Sequence, residues 1–280
     1  MTFGNKLYNS INNGKNLLFS QGEMANLTYI SFEKFIEFIQ SSDEEIIPIT
    51  HPVGFGADNT PINSTTNYTK EKLIGRYQHL GLNKLPIDGI FQLVTITETI
   101  LNFIIREILI EFPGKIPSKR KLDVDLALNA NSLEEIKICI VESVLNEISY
   151  KSPSDYAEEF ERFTGVNLKD FPFYHKYIEL KATRDIHIHN GGTSNEIYLA
   201  KAGILARVKN NKYLPVDVQY FLQSYECCIQ ITEFLEIELD KIWPSEDYRV
   251  YKETQKNKSF EKLQSEAVNE VIEDIKKQGE

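Results

Sequence analysis

Along most of this chain apolar residues recur at helical spacing, and convincing strand-like alternation is absent. From about Thr69 the pattern is helical and stays so. Lys70 to Leu80 predicts a short helix. Pro86 then opens a long one over about Ile87 to Glu111, where Leu93, Ile96, Ile100, Ile104 and Leu109 spread over most of the circumference, as in a helix enclosed by others. Ser132, with Glu135 three residues on, carries the capping-box signature ahead of Ile136, Cys139, Ile140 and Val144, which predicts a helix to about Ile148. A short helix over about Asp155 to Phe163 stops at Gly165, and Leu168 to Pro172 reads as a turn. The next helix, about Tyr174 to Asn190, ends at Gly191-Gly192, since glycine enters the left-handed conformation without a steric penalty. Pro215 to Ile242 closes the series, with Val218, Leu222, Tyr225, Ile229, Thr232, Leu235 and Leu239 along one stripe.

The two ends read differently. Residues 1–70 are rich in Asn, Ser, Thr and Gly, and only Phe32, Phe35, Ile36 and Ile39 mark a helix, over about Ser31 to Gln40. The segment Ile46 to Asn67 holds Pro48, Pro52, Pro61 and Gly54-Phe55-Gly56, and is expected to be a loop. Beyond Trp243-Pro244 the chain turns polar, with only Leu263, Val268, Val271 and Ile275 recurring. The expected fold is therefore all-α: a bundle of four or five helices over 71–244, an irregular N-terminal extension over 1–70 and a charged helical tail over 245–280.

Charge narrows the partners. The formal net charge is −10, from 41 acidic and 31 basic residues, so the molecule as a whole repels polyanions and any nucleic-acid contact must be local. Two basic clusters are available: Lys115, Lys119, Arg120 and Lys121, and Lys201, Arg207, Lys209 and Lys212; a solvated loop is the plain alternative for each. Cys139, Cys227 and Cys228 form no CxxC pair, which fits a reducing compartment. No signal-peptide pattern or membrane-length apolar run is seen, and a cytoplasmic protein without membrane contact is expected. GxSxG, Walker and GxGxxG patterns are missing as well, so serine-hydrolase, P-loop and dinucleotide readings have no support.

Titratable chemistry concentrates between Lys181 and Tyr198, where Arg184, Asp185, His187, His189 and Asn190 fall within seven residues. Three readings of this stretch compete. His187-x-His189 resembles a metal-binding pair, but no histidine follows His189, and His51, His79 and His175 would have to be brought in by folding. Alternatively, a histidine with an ordinary pKa near 6.5 can deprotonate a ribose 2'-hydroxyl while a neighbouring arginine holds the attacked phosphate, with no cofactor and no metal. The third reading is structural: histidines, and a cap at Asn190-Gly191, are favourable at a helix end that carries partial negative charge.

The run Arg184-Asp185-Ile186-His187-Ile188-His189-Asn190-Gly191-Gly192 resembles the signature of the HEPN superfamily: an arginine, a polar residue, and a histidine with four residues between the arginine and it. The resemblance extends over about Pro86 to Trp243, with an early long helix carrying an internal glutamate, the motif near the end of a late helix, and a long closing helix. It implies a dimeric, metal-independent endoribonuclease, often a toxin or anti-phage defence effector, with the two motifs facing across a two-fold axis. Arg184 would then hold the phosphate, His189 would be general base or acid, and Asp185 the polar helper, where many members carry asparagine. His187, Asn190 and Glu98 are accessory candidates, and Lys201, Arg207, Lys209 and Lys212 candidates for RNA contact. The expected partners are the RNA substrate, a second copy across the Arg184/His189 face, and an antitoxin or defence-system protein. A fold of this kind also serves as a non-catalytic nucleotide- or partner-binding module, which is the alternative expectation.

Overall fold

The computed structural model describes residues 1–117 and 130–258. Lys119, Arg120 and Lys121 of the first basic cluster, and the tail aliphatics Leu263, Val268, Val271 and Ile275, lie outside the described residues. Among the described residues the fold is mainly helical, with one small two-stranded sheet. The chain divides into two compact units: one gathers residues 1–14, 100–171 and those from 232 onward, the other residues 15–99 and 172–231.

The N-terminal region departs most from expectation. Instead of an irregular extension with a helix over 31–40, residues Phe3–Ser41 form a single 39-residue helix, α1. Its buried stripe passes through Ile11, Leu18, Ala25 and Ile39, at multiples of seven residues, and glycines share that stripe. A Cβ on Gly14 would sit 2.3 Å from the Ile100 side chain, and one on Gly22 would sit 2.8 Å from the Tyr225 ring. Glycine is there for close approach, although it weakens the helix signal that sequence alone conveys.

The prolines and glycines of 46–67 do not make a loop either. β1 (Ile46–Phe55) pairs antiparallel with β2 (Pro61–Thr69), with a register shift between Pro52 and Gly54. The connecting turn is closed by a hydrogen bond from Gly56 N to Thr60 O, with Asn59 at φ 64°, and by the Asp58 carboxylate accepting from the Thr60 backbone and hydroxyl. A two-stranded ribbon has two open edges, so Pro48 and Pro52 remove no essential ladder bond. The base of the ribbon is anchored by Ile47, which packs with Ile39 and Leu73 in one cluster flanked by Phe35, Ile49, Tyr68 and Tyr77.

From here the helices follow the sequence pattern more closely. α2 (Lys70–His79) begins with the Thr69 hydroxyl accepting from Lys72 N. It runs through a π-helical turn, Leu80–Lys84, into α3 (Leu85–Glu111). Pro86 has no N–H, and its ring would meet the carbonyl four residues earlier; the wider turn, with Leu85 N bonded to Leu80 O, relieves that conflict. In the first unit, α4 (Leu133–Ser149) is capped by the Ser132 hydroxyl, and α5 (Pro153–Thr164) by that of Ser152, ending at Gly165 in the left-handed region. Phe3, Phe112 and Trp243 pack edge-on and stacked around the start of that unit. Residues 246–258 are helical.

α6 (Tyr174–His189) and the closing helix α8 (Val218–Ile242) stand where the apolar spacing predicts. Between them lies a short helix, α7 (Glu196–Ala202), capped by the Asn195 side chain, where the sequence pattern marks no helix. The predicted stripe of α8 holds at Thr232, Leu235 and Leu239, which are buried, but the first half of the helix is rotated from it: Leu222 is 55% exposed, while Phe221, Ser224 and Cys228 are buried. Phe221 fixes this rotation, because its ring lies where a side chain on Gly89 of α3 would otherwise be.

Candidate functional site

α6 buries the face made by Tyr174, Tyr177, Ile178, Glu179, Leu180, Ala182, Thr183 and Ile186, and leaves Arg184, Asp185 and His187 partly exposed. Its end is built by the two glycines. Asn190 N and Gly192 N both donate to Ile186 O, with Gly191 at φ 56° and Gly192 at φ 79°. At Gly192 a Cβ would come within 2.6 Å of the Tyr213 ring and 3.1 Å of the His187 ring, so both conformation and room demand glycine there. The Asn190 side chain donates to the Thr193 carbonyl and is occupied in closing this turn.

Directly after the turn, the chain is tied to the loop that carries the second basic cluster. Leu214 N donates to Gly192 O, and Ser194 N to Lys212 O. The buried Ser194 hydroxyl donates to the carbonyls of Lys209 and Lys212 and accepts from Lys212 N. Ser194 therefore fixes the backbone under two exposed lysines, Lys209 and Lys212, beside the end of the motif helix. No sequence signal singles it out, because a serine after a glycine turn is ordinary.

Arg184 is the hub of an ion-pair chain. Its side chain is 18% exposed, and its guanidinium donates to Glu98 of α3 and to its neighbour Asp185 at 3.0 Å. Lys181 meets the other Glu98 oxygen at 2.7 Å, and Lys201 of α7 meets Asp185 at 3.2 Å. The buried Nε–H of Arg184 has no hydrogen-bond partner among the described residues. Glu98 is thus held by partners, which is how a carboxylate inside an apolar helix is tolerated.

The two histidines differ in surroundings. His187 Nε2–H donates to the Leu214 carbonyl at 2.9 Å, and its ring packs edge-on to Tyr213 with centroids 5.8 Å apart. Burial pushes its pKa below the ordinary 6.5, the bond to Leu214 works the other way, and the charges of Arg207 and Lys84 push it down further. His189, the last residue of α6, is exposed, and among the described residues no hydrogen bond fixes its ring. Arg184 and His189 lie roughly 140° apart around one helix axis, so their long side chains can converge only beyond the helix end.

Arg207 is not part of the exposed cluster with which its position in the sequence groups it. Its Nε donates to Glu179 at 3.1 Å, its Nη2 to Thr183 at 3.1 Å and its Nη1 to the Pro215 carbonyl, and the guanidinium stacks 3.7 Å over the Tyr220 ring. Glu179, 5% exposed, also accepts from the hydroxyls of Thr183, Tyr198 and Tyr220. Burial works against the Arg207 charge, but the Tyr220 hydroxyl and the Glu179 carboxylate outweigh it and raise its pKa. Burial, then the Glu179 charge, holds the Tyr220 hydroxyl well above its usual value. This network joins α6, α7, α8 and the basic loop. Glu179 and Thr183 could have been flagged from sequence, since they share the buried face with Ile186 at i, i+4, i+7; Tyr198 and Tyr220 carried no such signal.

Among the described residues no group of three or more His, Cys, Asp or Glu side chains is placed to hold a metal ion. Likewise among them, no helix is long and apolar enough to cross a membrane. Comparison with known proteins adds no further constraint: no family model, no curated protein and no solved structure matches this chain.

Proposed function

We propose that this chain is a metal-independent endoribonuclease of HEPN type, its helices a bundle of that kind, acting as a toxin or defence effector. The observation that carries the reading is the end of α6: Arg184 is oriented by two carboxylates, an unrestrained His189 ring lies beyond it, and Lys209 and Lys212 are fixed next to the same turn. A phosphate entering here exchanges Glu98 and Asp185 as partners of the guanidinium, which can then hold two non-bridging oxygens and offset the charge that builds on them.

His189 takes the proton of the ribose 2'-hydroxyl, whose oxygen attacks the adjacent phosphorus. The bond to the 5'-oxygen breaks, that oxygen takes a proton from an imidazolium, and a 2',3'-cyclic phosphate is left. With two copies facing across a two-fold axis, one imidazole accepts the proton while the other donates it. Asp185 and Glu98 position Arg184.

One observation favours the second reading, a non-catalytic nucleotide- or partner-binding module: both terminal nitrogens of Arg184 are already paired with carboxylates, as in a helix-end ion pair. One experiment separates the two. Purified protein is incubated with a broad RNA panel in EDTA, and the product ends are analysed. Cleavage to cyclic-phosphate ends is expected, with Arg184→Ala and His189→Ala each lowering the rate by about 100-fold or more while leaving the circular dichroism spectrum unchanged. Wild-type protein that is folded and inert on every RNA would hand the site to the binding reading. Activity lost in EDTA and restored by zinc would revive a metal role for His187 and His189.

A further inference from the structure

One face of α1, turned away from its buried stripe, lies open among the described residues. Leu17, Ser20, Met24, Leu27, Ser31 and Lys34 are all exposed along it, at alternating spacings of three and four residues. That is the a and d spacing of a helix that pairs with another helix, sustained here over about 26 Å. Leu17 and Leu27 are each 57% exposed and Met24 49%, so three large apolar side chains stand in line facing water. A shallow groove follows the same face, lined by Ser20, Glu23, Met24, Leu27, Thr28 and Ser31. These residues outline two successive holes with corners at i, i+3, i+4 and i+7, one starting at Ser20 and the next at Met24, and a hole of that form receives a side chain from a facing helix.

We infer that this face binds the same face of a second copy, with the two α1 helices antiparallel and the two-fold axis midway between Met24 and Leu27. The order of side chains carries the choice of partner, because it matches its own reverse. In this register Met24 of each copy lies opposite Leu27 of the other, Ser20 opposite Ser31, and Leu17 opposite Lys34. The two serine layers let the helices approach closely around an apolar centre. The stem of Lys34 covers Leu17, and its ammonium stays with Glu37 of its own helix, 2.8 Å away. Glu23 then flanks Ile30 and Glu37 flanks Asn16 of the other copy, so no like charges meet. A parallel pair would instead set Lys34 against Lys34. The contact involves about half of the 20–30 residues a side of a standard interface, so the pair is weak, with a Kd of about 10–100 µM. The inference is independent of the ribonuclease reading, because none of its residues belongs to the Arg184 and His189 region.

The test is sedimentation equilibrium of the full chain at concentrations spanning that Kd, combined with cross-linking. Wild type is expected to dimerise, and Met24→Glu and Leu27→Glu, both at exposed positions and so expected to fold, should each weaken the dimer about tenfold or more by facing a carboxylate with an apolar side chain. For cross-linking, Cys139→Ser removes the one partly exposed thiol, since Cys227 and Cys228 are buried. In that background, mixing Ser20→Cys protein with Ser31→Cys protein under mild oxidation should give a disulfide-linked dimer, while either protein alone gives little. A wild type still monomeric at about ten times that Kd overturns the inference and leaves the face to a helix of another protein. A dimer unaffected by both glutamates overturns it too, by placing the contact on another face, and efficient cross-linking of Ser20→Cys protein alone overturns the antiparallel register.

Discussion

His187 and His189 are two residues apart, yet tertiary contacts give them different work. His187 is half-buried, donates to Leu214 and faces the charges of Arg207 and Lys84, all of which except the hydrogen bond favour its neutral form. Its folded pKa lies below the unfolded 6.5, so the unfolded chain takes up the proton first. The contribution of His187 to stability is therefore intact above about pH 6.5 and declines as the pH falls below it. His187→Gln keeps a donor for Leu214 but cannot titrate. Urea unfolding between about pH 7.5 and pH 5 should show a shallower loss of stability on acidification in this variant than in wild type. Glu179 gives a larger effect. Glu179→Ala removes the partner of Arg207 and of three hydroxyls together, and should destabilise the protein by about 3 kcal/mol in denaturant titration. That is the low end for a broken buried pair, because a quarter of the Arg207 side chain still reaches water.

At the scale of elements, small residues decide the geometry. Gly22 of α1 lies against Tyr225 of α8, so Gly22→Val should force those helices apart and destabilise by about 1–3 kcal/mol, even though valine is intrinsically the better helix former. Denaturant titration checks the sign: a stabilised variant would mean that this contact does not limit the packing. The same residues account for what sequence reading missed here. α1 reads as irregular because Gly14, Gly22 and Ala25 stand at packed positions that elsewhere would hold leucine. The hairpin reads as a loop because Pro48, Pro52 and Gly54 are loop formers by propensity, and only Ile47, Ile49 and Tyr68 meet a core. By contrast, the caps at Ser132 and Ser152 and the stop at Gly165 form where their local chemistry puts them, because each depends only on residues within a turn.

For the whole molecule, a net charge of −10 means that RNA can be attracted only at a local positive surface. With Arg207 committed to Glu179, the exposed cations beside the motif are Lys201, Lys209 and Lys212, and Lys201 already meets Asp185. About three phosphates are then neutralised, and the logarithm of single-strand RNA affinity should fall with that of salt at a slope of about −2. Fluorescence anisotropy with a His189→Ala variant measures it without cleavage. A slope steeper than about −5 would require a basic surface beyond this one.

The helical class, the positions of most helices after residue 70 and the place of the candidate chemistry at the end of α6 are legible in the order of residues alone. These follow from periodicity, caps and glycine stops, which act over a few residues. Which groups meet depends on how the elements pack. Glu98 and Arg184 are 86 residues apart in sequence, Arg207 turns inward to Glu179, and Ser194 fixes the lysine loop. The reason is that an ion pair or a buried hydroxyl is selected by what is left unsatisfied when the elements pack, and no local pattern records that.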